Sequence, residues 1–279
     1  ADSDEHLVVA TTRPETMFGD MAVAVNPKDE RYKKFIGQYV LLPLTHRKVP
    51  VLGDEYVDME FGTGCLKITP GHDFNDYEIG KKHALHQIDD IVYTSKNLED
   101  FAPINIFTDA AFTNDFVPEP FNNLDRFKAR KAVISELTAQ KLLIKEVKHP
   151  ISVPRGERSN MVIEPRLSHQ WYVKTKDMAE KANNAVKKGE VVFHPGNWIK
   201  TYYNWMENIQ DWCISRQIWW GHRIPAWYDE DGNTYVGINE TEVREFYKLD
   251  GRDLKQENDV LDTWFSSSLW SFGSLGWPE

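Results

Sequence analysis

The chain has 279 residues, of which 41% are hydrophobic and 13% aromatic, enough apolar material for about two domains with buried cores. Its net charge of −10 argues against a generally basic nucleic-acid-binding protein, although it does not exclude a local basic groove that contacts phosphates. No apolar run approaches the roughly 20 residues of a membrane-spanning helix. Cys65 and Cys213 are too few for a disulfide framework or a thiolate zinc site.

The first five residues, ADSDE, contain no initiator methionine and none of the basic and apolar regions of a signal peptide. We therefore expect a fragment or a processed chain. The low cysteine content favours a reducing, cytoplasmic setting.

Short apolar runs alternate with turn signals over the first 150 residues, which is typical of a β-rich α+β domain. The pattern predicts strands over 6–12, 21–25, 39–44, 48–52 and 103–107, helical turns over 29–35, and helices over 76–84 and 124–143. Pro43 and Pro50 indicate edges or bends rather than central strands, because proline lacks the amide donor that a central strand needs. Residues 86–102 are polar and acidic, and we expect them to leave the domain as a hairpin or a helical lid.

A cluster of proline and glycine at Pro150, Pro154 and Gly156 predicts a domain boundary. We place the first domain at residues 1–155 and the second at 156–279. The second is rich in tryptophan and has an Asp-Gly-Asn turn in a predicted hairpin over 226–236.

The densest polar cluster lies in the stretch GTGCLKITPGHDFNDY, residues 62–77. Strand alternation places Lys67 and Thr69 on one face, and the loop that follows presents Asp73 and Asp76. Two carboxylates in such a loop can converge on an amine and a hydroxyl through charge-assisted hydrogen bonds. The same residues also suit a surface strand in which Lys67 forms a salt bridge with a carboxylate.

Three other positions have a structural and a functional interpretation. His72 and Asp73 suggest half of a metal-dependent phosphohydrolase site, but the remaining histidines form no ligand-like pair. Arg13, in a loop stiffened by proline, suits a surface ion pair or a clamp for phosphate or carboxylate. Phe61 suits either the core or a stacking platform for a base. No nucleophile elbow, Walker loop or dinucleotide fingerprint is present.

Longer motifs closely resemble the editing domain that is inserted in class I aminoacyl-tRNA synthetases for branched aliphatic amino acids: TTRPET at 11–16, GTG at 62–64 and PGHDFNDY at 70–77. The later motifs look like the stretch that returns to the catalytic domain of these enzymes: DWCISRQ at 211–217, WGHRIPAWY at 220–228 and LDTWFSS at 261–267. The resemblance covers nearly the whole chain. KIT at 67–69 and WWGHR at 219–223 look like the valine-specific members, whereas residues 86–102 look like an insertion.

The resemblance implies a barrel-like, β-rich editing domain with peripheral helices over 1–155, then a return segment over 156–279 that belongs to an α/β Rossmann-type catalytic domain. It implies post-transfer editing, the hydrolysis of threonyl-tRNA(Val), with threonyl-adenylate as a further substrate. Editing would need no cofactor or metal, whereas the parent enzyme would use ATP with Mg to ligate valine to tRNA(Val). The implied partners are the 3′ acceptor end of tRNA(Val), the threonine or valine aminoacyl group and the remainder of the synthetase, with no membrane.

The resemblance also assigns roles to residues. Asp73 would bind the α-ammonium group and Asp76 the threonine hydroxyl, in a pocket completed by Lys67 and Thr69. The remaining residues would hold the terminal adenosine: Arg13, Thr11, Thr12 and Thr16 at the ribose and phosphate, Phe61 at the adenine, and His72 at the loop or the ribose. There are three alternatives to this function. The first is a non-catalytic fragment that binds the tRNA acceptor end, and the second is a metal-dependent phosphohydrolase. The third is a piece of the synthetic active site only, which the absence of His-Ile-Gly-His-like and Lys-Met-Ser-Lys-Ser-like sequences disfavours.

Overall fold

The computed structural model describes residues 5–107 and 116–278. The chain divides into two compact units, Ala1–Leu167 and Ser168–Glu279. The division follows Leu167, whereas the sequence places a domain boundary after residue 155. No helix among the described residues has the length and apolar composition needed to cross a membrane.

A mixed six-stranded sheet organises the first unit. Its strands follow the order β4-β1-β3-β6-β5, and β2 pairs with β3 beside this path. Strand β1 runs parallel to β3 and antiparallel to β4. Among the described strands no pairing joins β4 to β5, so the sheet is open and the predicted barrel is not confirmed. The strands are β1 (Ala22–Val25), β2 (Tyr39–Leu41), β3 (Lys48–Gly53), β4 (Cys65–Ile68), β5 (Leu85–Ile88) and β6 (Ile91–Thr94).

Two α-helices and short 3-10 helices pack with this sheet. Helix α1 spans Phe74–Lys82 and helix α2 spans Arg126–Ala139, both close to their predicted ranges. All four residues of β1 are buried, and they share one core with Ala129 and Val133 of α2. The 3-10 helices are Pro14–Gly19, Lys33–Phe35, Leu98–Asp100 and Glu119–Phe121.

Two of the predicted strands are wrong. Residues 6–12 and 103–107 form no strand, and only Phe107 makes an isolated bridge. Ile104 and Ile106 are nevertheless buried, and Leu7 packs against the core. The apolar pattern therefore indicated burial correctly, but the backbone of these segments has no strand partner.

Of the edge or bend predicted from Pro50, the edge position is wrong, because β3 lies in the middle of the sheet. Pro50 is tolerated because it stands where pairing with β2 ends and pairing with β1 begins at Val51. Residues 86–102 do contain the predicted hairpin, formed by β5 and β6. This hairpin is not an excursion, since β6 pairs with β3 and Val92 is fully buried.

The second unit has short strands that all pair antiparallel in the part of it that the structure describes. The predicted hairpin over 226–236 is confirmed by β10 and β11, with Gly232 in the left-handed region at φ +79°. The Rossmann-type segment stays a prediction. The strands are β7 (Tyr172–Val173), β8 (Trp212–Cys213), β9 (Ser215–Arg216), β10 (Ala226–Tyr228), β11 (Thr234–Val236), β12 (Lys255–Gln256) and β13 (Val260–Leu261). The helices are α3 (Lys176–Lys187), α4 (Trp198–Glu207), α5 (Glu240–Tyr247), α6 (Thr263–Ser268) and α7 (Trp270–Gly273).

Candidate functional site

The end of β4 and the start of α1 hold the polar stretch in place. Asp73 is the N-cap of α1, where one carboxylate oxygen accepts the N–H groups of Asn75 at 2.9 Å and Asp76 at 3.1 Å. An aspartate at this position satisfies amides that the first helical turn leaves unpaired. Asp76 then reaches back, and its Oδ2 accepts the Thr69 N–H at 2.9 Å. Backbone amides therefore hold both carboxylates in place at the end of the strand.

Lys67 is the centre of a buried polar cluster. Its ammonium donates to Asp20 Oδ1 at 2.8 Å, to Thr16 Oγ1 at 2.9 Å and to the hydroxyl of Thr69. The Thr69 hydroxyl donates in turn to Asp20 Oδ1 at 2.5 Å. Lys67 and Thr69 thus share one strand face, as alternation predicts. The structure brings together three of the residues predicted for the pocket or the adenosine, and it adds Asp20.

Asp20 is the residue of this cluster that sequence reasoning missed. It is 3% exposed, and burial raises the pKa of its carboxyl although the Lys67 charge opposes that shift. A buried carboxylate needs such a partner, because an unpaired charge in the interior is costly. The available signal was weak: a single charged residue directly before a buried apolar strand.

Asp76 combines burial with an unusual titration. It is 8% exposed, and burial raises the pKa of its carboxyl to about 7, while the Thr69 N–H and the Lys67 charge act in the opposite direction. Near neutral pH this carboxyl is therefore present in both forms and can accept or donate a hydrogen bond. Asp73 is exposed, and among the described residues no hydrogen bond to its Oδ2 is found, which leaves an oxygen to receive a cation.

His72 is fully engaged by the main chain. Its Nε2 accepts the Ile106 N–H at 2.9 Å, which leaves the proton on Nδ1 to be donated to the carbonyl of Pro165 at 3.0 Å. Burial lowers the pKa of the imidazole to about 4, so the ring is neutral at physiological pH. Of its two predicted roles, this geometry favours shaping the loop over contacting a ribose. Within the described residues no group of three or more His, Cys, Asp and Glu is placed to hold a metal ion.

Arg13 lies against the same loop but is already paired. Its guanidinium donates to the His72 carbonyl at 3.0 Å, forms an ion pair with Glu164, and approaches Glu15 at 3.8 Å. Thr11 accepts the Arg13 N–H at 3.0 Å, and both Thr11 and Thr12 are exposed. Arg13 therefore lies beside the cluster. Its guanidinium is paired with the carboxylates of Glu164 and Glu15, whereas the predicted partner is a phosphate of the substrate.

A second buried pair fixes the loop that carries Arg13 and Thr16. Glu15 is 1% exposed and accepts two hydrogen bonds from Arg130 of α2, at 2.7 and 2.6 Å. Such bidentate pairing orients both groups. Glu164 and Arg130 were also missed, because they lie more than a hundred residues along the chain from their partners and no local pattern marks them.

Phe61 is held at the surface by the Gly-Thr-Gly turn. Gly62 and Gly64 have φ of +60° and +77°, a conformation that favours glycine, and the Gly64 N–H donates to the Phe61 carbonyl at 3.1 Å. The Phe61 side chain is 72% exposed, so it is not part of the core. An exposed ring of this kind is free to stack on a base.

We expect Asp76→Asn to raise the free energy of unfolding of the first unit by roughly 2 kcal/mol at pH 8 and to leave it nearly unchanged at pH 4. The folded-state pKa of Asp76, about 7, lies above its ordinary value of 3.8, so the original chain loses stability as the pH rises through this window. Asparagine still accepts the Thr69 N–H but cannot ionise, and its amide must still be desolvated, which limits the gain. Hydrogen exchange of the β1 amides measures this free energy. Tryptophan fluorescence would not report on the first unit, because all tryptophans lie in the second. An equal effect at both pH values would contradict the assignment.

Comparison with known proteins identifies the family. Residues 5–279 match the tRNA synthetases class I (I, L, M and V), and the chain belongs to this family. Over its whole length the chain is 56% identical to the valine–tRNA ligase of Legionella pneumophila (strain Lens), and 54% identical to those of Francisella tularensis (strain SCHU S4) and Coxiella burnetii. It spans 29% of the length of these relatives. The resemblance to the valine-specific members is thereby confirmed.

Proposed function

We propose that the first unit carries an editing site that hydrolyses threonyl-tRNA(Val), with threonyl-adenylate as a further substrate. The observation that carries the proposal is a polar cluster at the end of a strand, in which the half-buried Lys67 pairs with buried Asp20 and Thr69, and Thr69 with buried Asp76. Such a cluster suits a hydroxyl-bearing side chain better than an apolar one.

Physical chemistry explains why a second site is useful. Threonine is nearly isosteric with valine, and an apolar pocket rejects an added hydroxyl only weakly. Discrimination then needs a site that binds the hydroxyl directly. A valine side chain placed against Asp76 would desolvate this carboxyl without offering a hydrogen bond to the oxygen that does not accept the Thr69 N–H, which is unfavourable.

The arrangement supports specific roles. In this proposal Asp73 receives the α-ammonium group on Oδ2, and Asp76 hydrogen-bonds the threonine hydroxyl. Lys67 holds Thr69 and Thr16 in position around the aminoacyl group. The terminal adenosine would lie on the exposed side of the site, with its base on Phe61 and its ribose and phosphate near Arg13, Thr11 and Thr12, where a phosphate would compete with Glu164.

The reaction needs little chemical assistance from side chains. A water molecule adds to the ester carbonyl carbon, the bond between this carbon and the ribose oxygen breaks, and a proton passes to that oxygen. Threonine and the free tRNA 3′ end are the products. The neighbouring ribose hydroxyl can assist the water, so positioning and desolvation would supply most of the rate enhancement.

The ligation of valine to tRNA(Val) is proposed for a longer protein of this family and not for this chain alone. A protein that joins this chain to the other segments of its relatives would attach valine to tRNA(Val) with ATP and Mg. The chain itself contains neither a His-Ile-Gly-His-like nor a Lys-Met-Ser-Lys-Ser-like sequence, and we expect no activation of valine by it alone.

The proposal is tested by incubating the chain with threonyl-tRNA(Val) and with valyl-tRNA(Val), each beside a buffer control. We expect release of threonine well above the control and much slower release of valine. Binding of tRNA without any acceleration would favour the non-catalytic alternative. Activity that a chelator abolishes would favour the metal-dependent alternative, which the backbone bonds of both His72 nitrogens make less suitable.

A further inference from the structure

The acidic chain contains one strongly basic segment. Residues 126–158 have nine Lys and Arg against three Glu, a net charge of +6 in a chain whose net charge is −10. The segment consists of α2 and the residues that follow it in the first unit. A local concentration of positive charge on an acidic protein indicates a surface for an anionic partner.

Helix α2 divides this charge between two faces. Arg126 and Arg130, one turn apart, face the rest of the unit, where they donate to the Val162 carbonyl and to Glu15. The opposite stripe is exposed and carries cations and hydroxyls without an acidic residue. It consists of Lys128, Lys131, Ser135 and Thr138, whose spacing of three and four residues keeps them on one face.

Exposed lysines continue beyond the helix at Lys141, Lys145 and Lys148, with one acidic neighbour, Glu146. Among the described residues none of the five lysines of this segment has an ion-pair partner. We call Lys128, Lys131, Ser135, Thr138, Lys141, Lys145 and Lys148 the basic strip. Lysine and hydroxyl side chains are those that typically contact nucleic-acid phosphates and fix the position of the partner without reading its sequence.

Helix α2, which carries the basic strip on its exposed face, packs with its other face beside the candidate editing site. Arg130 of α2 holds Glu15, and Thr16, the next residue, receives the Lys67 ammonium at 2.9 Å. The 14 residues of α2 extend about 21 Å at 1.5 Å per residue. The helical part of the strip therefore lies on the far side of a helix that borders the site, and its length matches several nucleotides of an RNA strand.

We propose that the basic strip binds the phosphate backbone of the RNA arm whose 3′ end enters the editing site. This inference rests on the proposed function, because it names the surface that holds the same substrate outside the pocket. The strip would supply affinity and orientation, and it would take no part in distinguishing threonine from valine. Its contribution should depend strongly on salt, because each neutralised phosphate releases condensed counterions.

A triple substitution tests the inference in the 279-residue chain: Lys128→Gln, Lys131→Gln and Lys141→Gln. The matched control is Lys176→Gln, Lys181→Gln and Lys188→Gln, three exposed lysines on or at the end of α3. The probes are tRNA(Val) and a minihelix that contains only its acceptor arm. We expect the strip variant to bind both RNAs about 10-fold more weakly at low salt and to lower the slope of log K against log salt by about 2 to 3, and we expect little change in the control. Equal losses in both variants, no loss in either, or a loss with whole tRNA but not with the minihelix would overturn the proposal.

Activity on a small substrate separates this inference from the proposed function. Hydrolysis of 3′-threonyl-adenosine, which has no arm to contact the strip, should be the same in the strip variant and the original chain. If the original chain hydrolyses neither substrate but the strip variant still loses RNA binding, the editing proposal is refuted and the RNA-binding role of the strip is supported. Normal RNA binding by the strip variant, in a chain that does hydrolyse threonyl-tRNA(Val), would refute the strip alone.

Discussion

Replacing Lys67 with methionine is expected to slow deacylation of threonyl-tRNA(Val) by about 100-fold, the order of loss that follows when a bound substrate is misplaced by about 1 Å. Lys67 connects Asp20, Thr16 and Thr69, so its removal takes away both the positive charge and the order of the pocket wall. Methionine keeps the apolar volume of the side chain. The rate is measured as threonine released from threonyl-tRNA(Val) in single-turnover conditions.

Folding must be separated from chemistry in this variant, because Lys67→Met leaves the buried Asp20 carboxylate without its cation. The double variant Lys67→Met with Asp20→Asn removes both charges and should recover stability but not activity. Asp76→Ala, which removes the carboxyl proposed to bind the threonine hydroxyl, should also be inactive. Unchanged rates in both Lys67→Met and Asp76→Ala would show that hydrolysis takes place elsewhere.

Gly71→Ala should destabilise the first unit by more than about 4 kcal/mol, or prevent it from folding. A Cβ at this position would lie 2.1 Å from the carbonyl oxygen of Ile104, which is backbone and cannot rotate away. The clash would move the loop at His72, whose Nε2 accepts the N–H of Ile106 in the same segment. Loss of the proposed editing activity should follow. Hydrogen exchange of the β4 amides and circular dichroism report the change.

Gly273→Ala is the matched control for this substitution. A Cβ at Gly273 meets nothing within 4 Å, and the residue lies in helix α7, where alanine is favoured. We expect this variant to be as stable as the original chain or slightly more stable. If Gly71→Ala melts at the temperature of the control, the close approach of residues 71 and 104 does not exist in solution.

Sequence patterns predicted the secondary-structure elements that are defined by interactions between residues close together in the chain. Alternation along residues 65–69 placed Lys67 and Thr69 on one face, and apolar spacing predicted the helix over 76–84, which the Asp73 cap begins two residues earlier. The same holds for α2 and for the hairpin with its Asp-Gly-Asn turn. In each case the interactions that define the element lie within a few residues of one another.

Other features depend on partners that are distant in sequence. Nothing near Glu15 indicates Arg130, and nothing near Arg13 indicates Glu164, so the support of the site could not be foreseen. The apolar run at 103–107 is buried but does not pair as a strand. The sequence could not distinguish the two cases, because a buried loop and a buried strand can have the same apolar composition. Asp20 was overlooked for a related reason: its role is defined by Lys67, 47 residues away.

The central claim, that the pocket of Asp73, Asp76 and Lys67 binds a threonyl ester of adenosine, is tested most directly by a crystal of the chain soaked with a non-hydrolysable threonyl-adenosine analogue. We predict the ammonium group at Asp73 Oδ2, the threonine hydroxyl within hydrogen-bonding distance of the Asp76 carboxyl, and the adenine against Phe61. The valyl analogue, soaked at the same concentration, should show weaker occupancy. Density for the threonyl analogue away from Lys67 and Asp76, or equal occupancy by both analogues, would contradict the account.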